Sequence, residues 1–581
     1  PEEVAFHRSS GLYFSRRAGR SMESYFLGSR KLPWWVLGFS SAASASGAGA
    51  APAFTMLVFT GGLLGNYVWW IPWIVWTPIV AIFWARFWRR LGLTTTAEFI
   101  EVRYGGRGAA VYRVIYAIYM VVFAVLMMAY TTSFIREAFT PILHLDPIGL
   151  NVAGAHFTLA ADHQIILGCG LVVVIYVTAA GLLGAVYSDV PQFIIFMAGN
   201  LLLIPIMLSR AGGLSSVYHQ VEATRGSSFF DGLPPSPEIP GILILALVIQ
   251  GLFSGTAPTA GEGVNAQRFL AAKNEAHAQL GQIFNAVLSL FVRTLPFFFF
   301  GIVGAALYPA SSVEEPALIW GMLVDRFSIP GLTGILVAAE LAAYMAAIDT
   351  GVNWGASYLM NDIYCRYLRR NAPERHYVAV SRWLSVAIFV IAVFTAFFIE
   401  GMRDWFLFIN SVMISFMLPL SWLRFFWWRL NIYGEAVGVL GSLPLGFVVW
   451  FVLGFKDQPL WQAFLLLFGL GMALIILTTL LTPPESRETL RNFYLRCKPP
   501  GLWSPIAAEV SEEQRRQVAR ANRGGLTECV LSVGGLGLAS VAATGFFAGQ
   551  WALGLTALTA SSLLMALTVM RWQKRGLFSE L

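Results

Sequence analysis

The sequence predicts an all-α protein that crosses a membrane about 14 times. Three observations carry this: the composition, the lengths of the apolar runs, and the placement of Lys and Arg. Hydrophobic residues make up 57% of the 581 and charged residues 12%, where soluble domains carry roughly 25% charged residues. Mean hydropathy is +0.65, with 20 Trp and 44 Phe. These values exclude a soluble enzyme, a disordered chain and a disulfide scaffold.

A membrane helix needs about 20 apolar residues. Fourteen runs qualify: 33–59, 64–88, 108–138, 163–182, 188–209, 239–256, 277–308, 331–363, 378–400, 404–429, 432–454, 459–482, 527–548 and 550–571. Each must be helical, because lipid leaves unpaired backbone groups without partners. Runs longer than 25 residues tilt or extend beyond the bilayer.

Basic residues fix the orientation. With residues 1–32 in the cytosol and strict alternation, 32 Lys/Arg fall on the cytosolic side, counting the adjoining span ends. Six fall outside (Arg136, Arg210, Arg225, Arg326, Arg403 and Lys456), and Arg293 lies within a span. That asymmetry follows the positive-inside rule. It puts both termini in the cytoplasm of a plasma membrane, the inner membrane of a bacterium. It also accounts for the net charge of +7 without nucleic acid. The polar stretch 483–526 reads as a cytosolic connector with a charged helix near Glu509–Arg520, and 572–581 as a cytosolic tail. Residues 1–32 lack the apolar core of a secretory signal. Cys169, Cys365, Cys497 and Cys529 have no metal or disulfide spacing.

Two spans carry helix-weakening sequence. The first contains small residues from Gly38 to Pro52, and the sixth ends in Gly251–Gly263 with Pro258. Small residues plus Pro in mid-membrane interrupt the helical ladder. Paired interruptions five spans apart point to an inverted-repeat transporter with its site at the midplane; close helix packing is the structural alternative.

Four ordered segments carry a family likeness. Tyr176–Gln192, Gly261–Lys273 and Asp349–Tyr364 resemble the three signatures of the sodium:solute symporter family, which includes bacterial sodium/galactose and sodium/proline transporters. Arg30–Trp35 resembles the lead-in to that family's first core helix. The resemblance implies a LeuT-type 5+5 inverted repeat. Residues 33–209 would form the first repeat, 239–429 the second, 432–482 peripheral helices 11 and 12, and 527–571 helices 13 and 14. Residues 1–32 do not supply the helix that relatives usually place before the first core helix.

The resemblance also implies sites. The principal sodium site would use the carbonyls of Ala43, Ser46 and Ala343 and two hydroxyls, but those hydroxyl positions are Ala346 and Ala347 here. Asp349 and Thr350, with Asp189, would form a second cation or proton site, since intramembrane carboxylates mark such pathways. The structural alternatives are a carboxylate at a helix N-terminus for Asp189 and a buried acceptor for Asp349. Substrate would meet Ser46, Gly47 and Ala50 at the first break and Glu262 and Arg293 beyond it. Glu262 and Arg293 are expected to pair, the cheapest way to bury both; alternatively Arg293 takes a substrate carboxylate in bidentate fashion. Asn265, Gln267 and Arg268 read as structural anchors. The small apolar lining of the first break disfavours a sugar and suits a small organic acid, amino acid or similar metabolite. Trp69, Trp70, Trp73, Trp76, Trp84 and Trp88 are expected to face lipid and its interface.

The function so implied is cation-coupled transport, with sodium the leading ion, by alternating access. Proton coupling is one alternative. The other is a transport-inactive scaffold or sensor, a subunit within a membrane complex. No organic cofactor and no enzymatic constellation is expected: Gly105–Gly108 lacks the Lys-Ser/Thr of a phosphate loop.

Overall fold

A computed structural model describes residues 26–47, 49–152, 155–177, 182–236, 239–256, 262–399 and 402–581. The first span is divided. Helix α1 (Trp34–Ser46) ends at Gly47, whose φ of +44° suits a residue without Cβ. Helix α2 (Ala50–Gly65) resumes at an angle of 63° to α1. Then follow α3 (Tyr67–Leu91), α4 (Gly106–Leu143), α5 (Ala161–Val177), α6 (Leu182–Arg210), α7 (Gly241–Phe253), α8 (Glu275–Leu307), α9 (Pro330–Leu368), α10 (Glu374–Ala396), α11 (Asp404–Phe426), α12 (Ile432–Val452) and α13 (Leu460–Leu481). The chain closes with α14 (Gly525–Phe547) and α15 (Trp551–Lys574). A small antiparallel hairpin, Ile148–Val152 with Ala155–Leu159, lies between α4 and α5.

Among the described residues, eleven helices are long and apolar enough to cross a membrane, or twelve with the bent α1–α2 pair. The remaining two of the fourteen expected spans fall on α5 and α7, which are shorter. Each runs out beside a segment outside the described residues, 178–181 for α5 and 257–261 for α7. Those segments hold part of the first signature and the expected second break.

Close helix contact explains the small residues of α1. A Cβ on Gly38 would stand 2.5 Å from Phe284 Cδ1, so glycine is what lets α1 lie against α8. Trp34 N donates to His277 Nδ1 across the same seam at 3.1 Å.

The tryptophans of α3 overturn their expected placement. Trp70, Trp84 and Trp88 are 0% exposed and Trp76 is 3% exposed. Trp70 Nε1 donates to Leu290 O at 3.0 Å. Trp84 meets Trp422 edge-on at 5.1 Å. Helix α3 is an inner helix, enclosed by α7, α8 and α14. Period and composition cannot distinguish lipid from a protein interior that is equally apolar.

The connector 483–526 also departs from a simple solvated link. Its helix Glu512–Asn522 starts with a capping box from Ser511 and Gln514. Leu490, Phe493, Trp503 and Ile506 are buried, and Trp503 Nε1 donates to Phe425 O at 2.7 Å. The connector therefore docks on the end of α11.

Candidate functional site

The break between α1 and α2 opens into a cavity of about 170 Å³ in the middle of the bundle. Of the residues expected at the site, Ser46, Gly47, Ala50, Ala347 and Thr350 line it. Gly47 marks where α9 reaches the break: a Cβ there would lie 3.5 Å from Ala347 Cβ. Ala43, Ala343 and Ala346 are buried beside the cavity without lining it. The Ser46 hydroxyl is engaged within α1, donating to Ala42 O at 2.7 Å.

One wall is aromatic. Trp69 and Trp73 lie with ring centroids 4.7 Å apart, Phe54 meets Trp69 at 5.7 Å, and Tyr130 meets Phe134 at 4.9 Å. Asn265, Asn285 and Asn410 add carboxamides, and Thr131 a hydroxyl. These polar groups stand in a lining that is otherwise largely apolar, as in Phe54, Met127, Met128 and Phe406. The first break is indeed poor in polar groups, but the amides come from the segment after α7, from α8 and from α11. Asn285 and Asn410 lie within apolar runs, where a polar residue is itself a signal that sequence inspection can catch. No ionised side chain lines the cavity among the described residues.

Behind the α1 wall lies a charged cluster. Ser40 Oγ donates to Asp189 Oδ2 at 2.5 Å. The Arg268 guanidinium donates to Ser40 O at 3.0 Å, to Ser44 Oγ at 2.5 Å and to Thr350 Oγ1 at 3.2 Å. It stands 3.9 Å from Asp189 Oδ2, and Asp349 is also within electrostatic reach of it. Ser44 and Thr350, 2.8 Å apart, face both the cluster and the cavity. Of the residues expected at a second cation site, Asp189, Asp349 and Thr350 all lie near Arg268. Arg268 is 2% exposed and fastens α1 to α9 through these hydrogen bonds. Its neighbour Gln267 does anchor, donating to Phe26 O at 3.0 Å.

Glu262 and Arg293 do not pair and neither lines the cavity. Glu262 binds Arg424 Nη1 at 2.5 Å and accepts from the Tyr116 hydroxyl. Arg424 also forks onto Glu435, with Nε 2.8 Å from Oε2. Tyr104 donates to the same Oε2 at 2.8 Å. This buried tie joins the start of the short helix Gly263–Ala271 to α4, α11 and α12. The pairing failed because the partner lies 162 residues downstream, beyond local spacing. Arg293 follows a wide π turn (Leu288–Val292), with its N–H bonded to Leu288 O at 2.8 Å. Its guanidinium sits 5.1, 5.7 and 5.5 Å from the ring centroids of Phe54, Trp69 and Trp73, the reverse side of the cavity's aromatic wall. None of its three guanidinium nitrogens has a hydrogen-bond partner among the described residues. Cation–π attraction of this kind contributes about 2 kcal/mol when desolvated.

In the third signature, Asp362 and Thr95 share a 2.7 Å hydrogen bond, and Arg113 bridges Asp362 and Glu101. These are structural fastenings. Among the described residues no group of three or more His, Cys, Asp or Glu is arranged to hold a metal ion.

A divided helix bordering a polar cavity inside a membrane bundle is the architecture of a transporter. Comparison with known proteins decides the family: residues 25–441 match the model of the sodium:solute symporter family. The chain belongs to the sodium:solute symporter family. It is a family of symporters, not of enzymes. Among its relatives, the sodium/glucose cotransporter of Vibrio parahaemolyticus is 26% identical over 513 residues, spanning 82% of this chain and 89% of that protein. The sodium/sialic acid symporter of Aliivibrio fischeri is 25% identical, spanning 83% and 91%. A solved structure of a Na+-coupled sialic acid symporter, in a substrate-bound outward-open state, superimposes with a TM-score of 0.66 at 19% identity, covering 82% of this symporter-family chain and 95% of that one. That likeness establishes a shared fold.

Proposed function

We propose that the chain couples sodium to uptake of a small, neutral, polyhydroxylated solute by alternating access. The divided first span carries the reading, because it brings α9 and the charged cluster to one wall of a cavity lined by aromatic rings, hydroxyls and amides. Charge counting supports the cation. Asp189 and Asp349 face Arg268, which leaves a formal surplus of one negative charge that one monovalent ion balances. The hydroxyls of Ser44 and Thr350 supply hard oxygens at the same place, of the kind sodium takes. They sit close to where Ala346 and Ala347 offer none, so the cation site is an altered one. The uncharged lining, aromatic on one side and rich in amides, suits a sugar or polyol ring, and the sugar-transporting relatives agree with this. The companion topology is fourteen spans with a 5+5 core, both termini cytoplasmic, in a plasma membrane.

One observation favours a second solute class. The Arg293 guanidinium lies behind the aromatic wall with no hydrogen-bond partner among the described residues, a group that would suit a carboxylated sugar.

Thermal unfolding in sodium, compared with potassium or choline at equal ionic strength, tests the cation. A ligand at a hundred times its Kd stabilises by about 2.7 kcal/mol. A sodium-specific rise that disappears in Asp189→Asn is expected. Dependence on pH instead would establish proton coupling. No response to either, with stability set by co-purified subunits, would establish the transport-inactive alternative.

The wall is tested separately. Trp73→Ala is expected to weaken solute binding by about 1 kcal/mol, roughly fivefold, in counterflow assays with a panel of monosaccharides and polyols. Unchanged binding would remove the aromatic wall from the site.

A further inference from the structure

A second cavity, of about 570 Å³, lies at the basic end of the bundle. It sits between the start of α8 and the ends of α14 and α15. Six cations border it: Arg86, Arg520, Arg523, Arg571, Lys574 and Arg575. Three carboxylates face them, Glu275, Glu528 and Glu580.

The acids do not neutralise the site. Glu275 is taken up by Arg86 at 3.2 Å and Arg90 at 2.9 Å. Glu528 Oε2 takes Arg575 at 2.6 Å and Trp572 Nε1 at 3.1 Å. Among the described residues, two buried donors then remain without hydrogen-bond partners: Arg571 Nε and Gln279 Nε2. Gln279 is 1% exposed yet borders the cavity. A buried donor left unpaired costs about 1–3 kcal/mol, so the cavity is built for something that accepts. Glu528 Oε1 is also unpartnered, which gives a ligand hydroxyl or ammonium a place to donate.

We propose that this cavity binds a phosphate ester whose headgroup also carries a hydrogen-bond donor. Phosphate oxygens would accept from Arg571 and Gln279, and the donor would reach Glu528. Basic pockets between membrane helices on the cytosolic side recognise lipid headgroups by this chemistry; a free phosphorylated metabolite offers the same groups. Helix α8 connects the two cavities: it carries Gln279 here, packs against α1 at Gly38, and carries Asn285 to the central cavity.

The test uses the purified full chain. In detergent, its unfolding is followed in potassium phosphate and in glycerol 3-phosphate, against potassium chloride of matched ionic strength. In parallel, it is reconstituted into vesicles of equal phosphatidylglycerol and phosphatidylcholine, and into phosphatidylcholine alone. Saturable stabilisation by the soluble phosphates identifies a free metabolite as the source, whereas stabilisation confined to phosphatidylglycerol vesicles identifies a headgroup. In either case Arg571→Gln is expected to weaken the effect about tenfold, and the exposed variant Arg523→Gln to weaken it less without disturbing the fold. The proposal is overturned if no probe stabilises beyond its control, or if both variants respond as the wild type does.

Discussion

Arg424→Met is expected to lower stability by about 3–5 kcal/mol, the range for removing one partner from a buried ion pair. The guanidinium lies between Glu262 and Glu435, and all three side chains are essentially inaccessible to water. Its removal leaves two carboxylates facing each other with, among the described residues, the tyrosine hydroxyls of Tyr104 and Tyr116 to solvate them. Replacing Arg424 alone therefore exposes the full desolvation cost of both acids. The triple variant Arg424→Met, Glu262→Gln, Glu435→Gln should recover most of the loss, because no charge then remains to be buried. Melting of the detergent-solubilised variants measures both. A single variant as stable as the wild type would mean that water reaches this cluster.

Arg268→Gln carries the second large effect. It removes the cation that Asp189 and Asp349 share and leaves Ser40, Ser44 and Thr350 without their common donor. Truncating one member of a buried hydrogen-bonded charge pair costs about 2–5 kcal/mol, which corresponds to roughly 30- to 4,000-fold in rate or affinity. Transport in proteoliposomes is expected to fall by that factor. At the same time the formal surplus in the cluster rises from one negative charge to two, so sodium should stabilise the variant at lower concentration than it does the wild type. Arg268→Lys keeps the charge but loses the fork, and should fall between. Wild-type transport by Arg268→Gln would show that the cluster is a fastening with no part in coupling.

Much of the bundle is legible in the sequence because lipid imposes the same demand on every span. Apolar length and the bias of Arg and Lys then suffice to mark helices. The interruption at Gly47 is legible for a related reason, since a run of Gly, Ala and Ser from Gly38 to Ala50 has few ways to hold a straight helix against its neighbours. What escapes is the identity of partners. Trp70, Trp84 and Trp88 read as lipid anchors because an apolar protein interior and a bilayer select the same residues. Glu262 reads as a match for Arg293 because both fall within 32 positions, while its actual partner lies on α11 and is brought close only by tertiary packing. Arg268 reads as an anchor because its carboxylates come from α6 and α9, two helices that no local pattern connects.

The interruption of the first span has an electrical consequence. An unbroken helix would carry its aligned peptide moments through the middle of the membrane with no free end there. Cut at Gly47, it presents two ends to the same space: the last carbonyls of α1 at Ser46, and the first amides of α2 at Ala50. Each end acts as roughly half an elementary charge, negative at the first and positive at the second. The cavity thus borders opposite poles a few residues apart, the negative one suited to a cation and the positive one to the lone pairs of a solute. That field comes from the main chain, where among the described residues no ionised side chain lines the cavity.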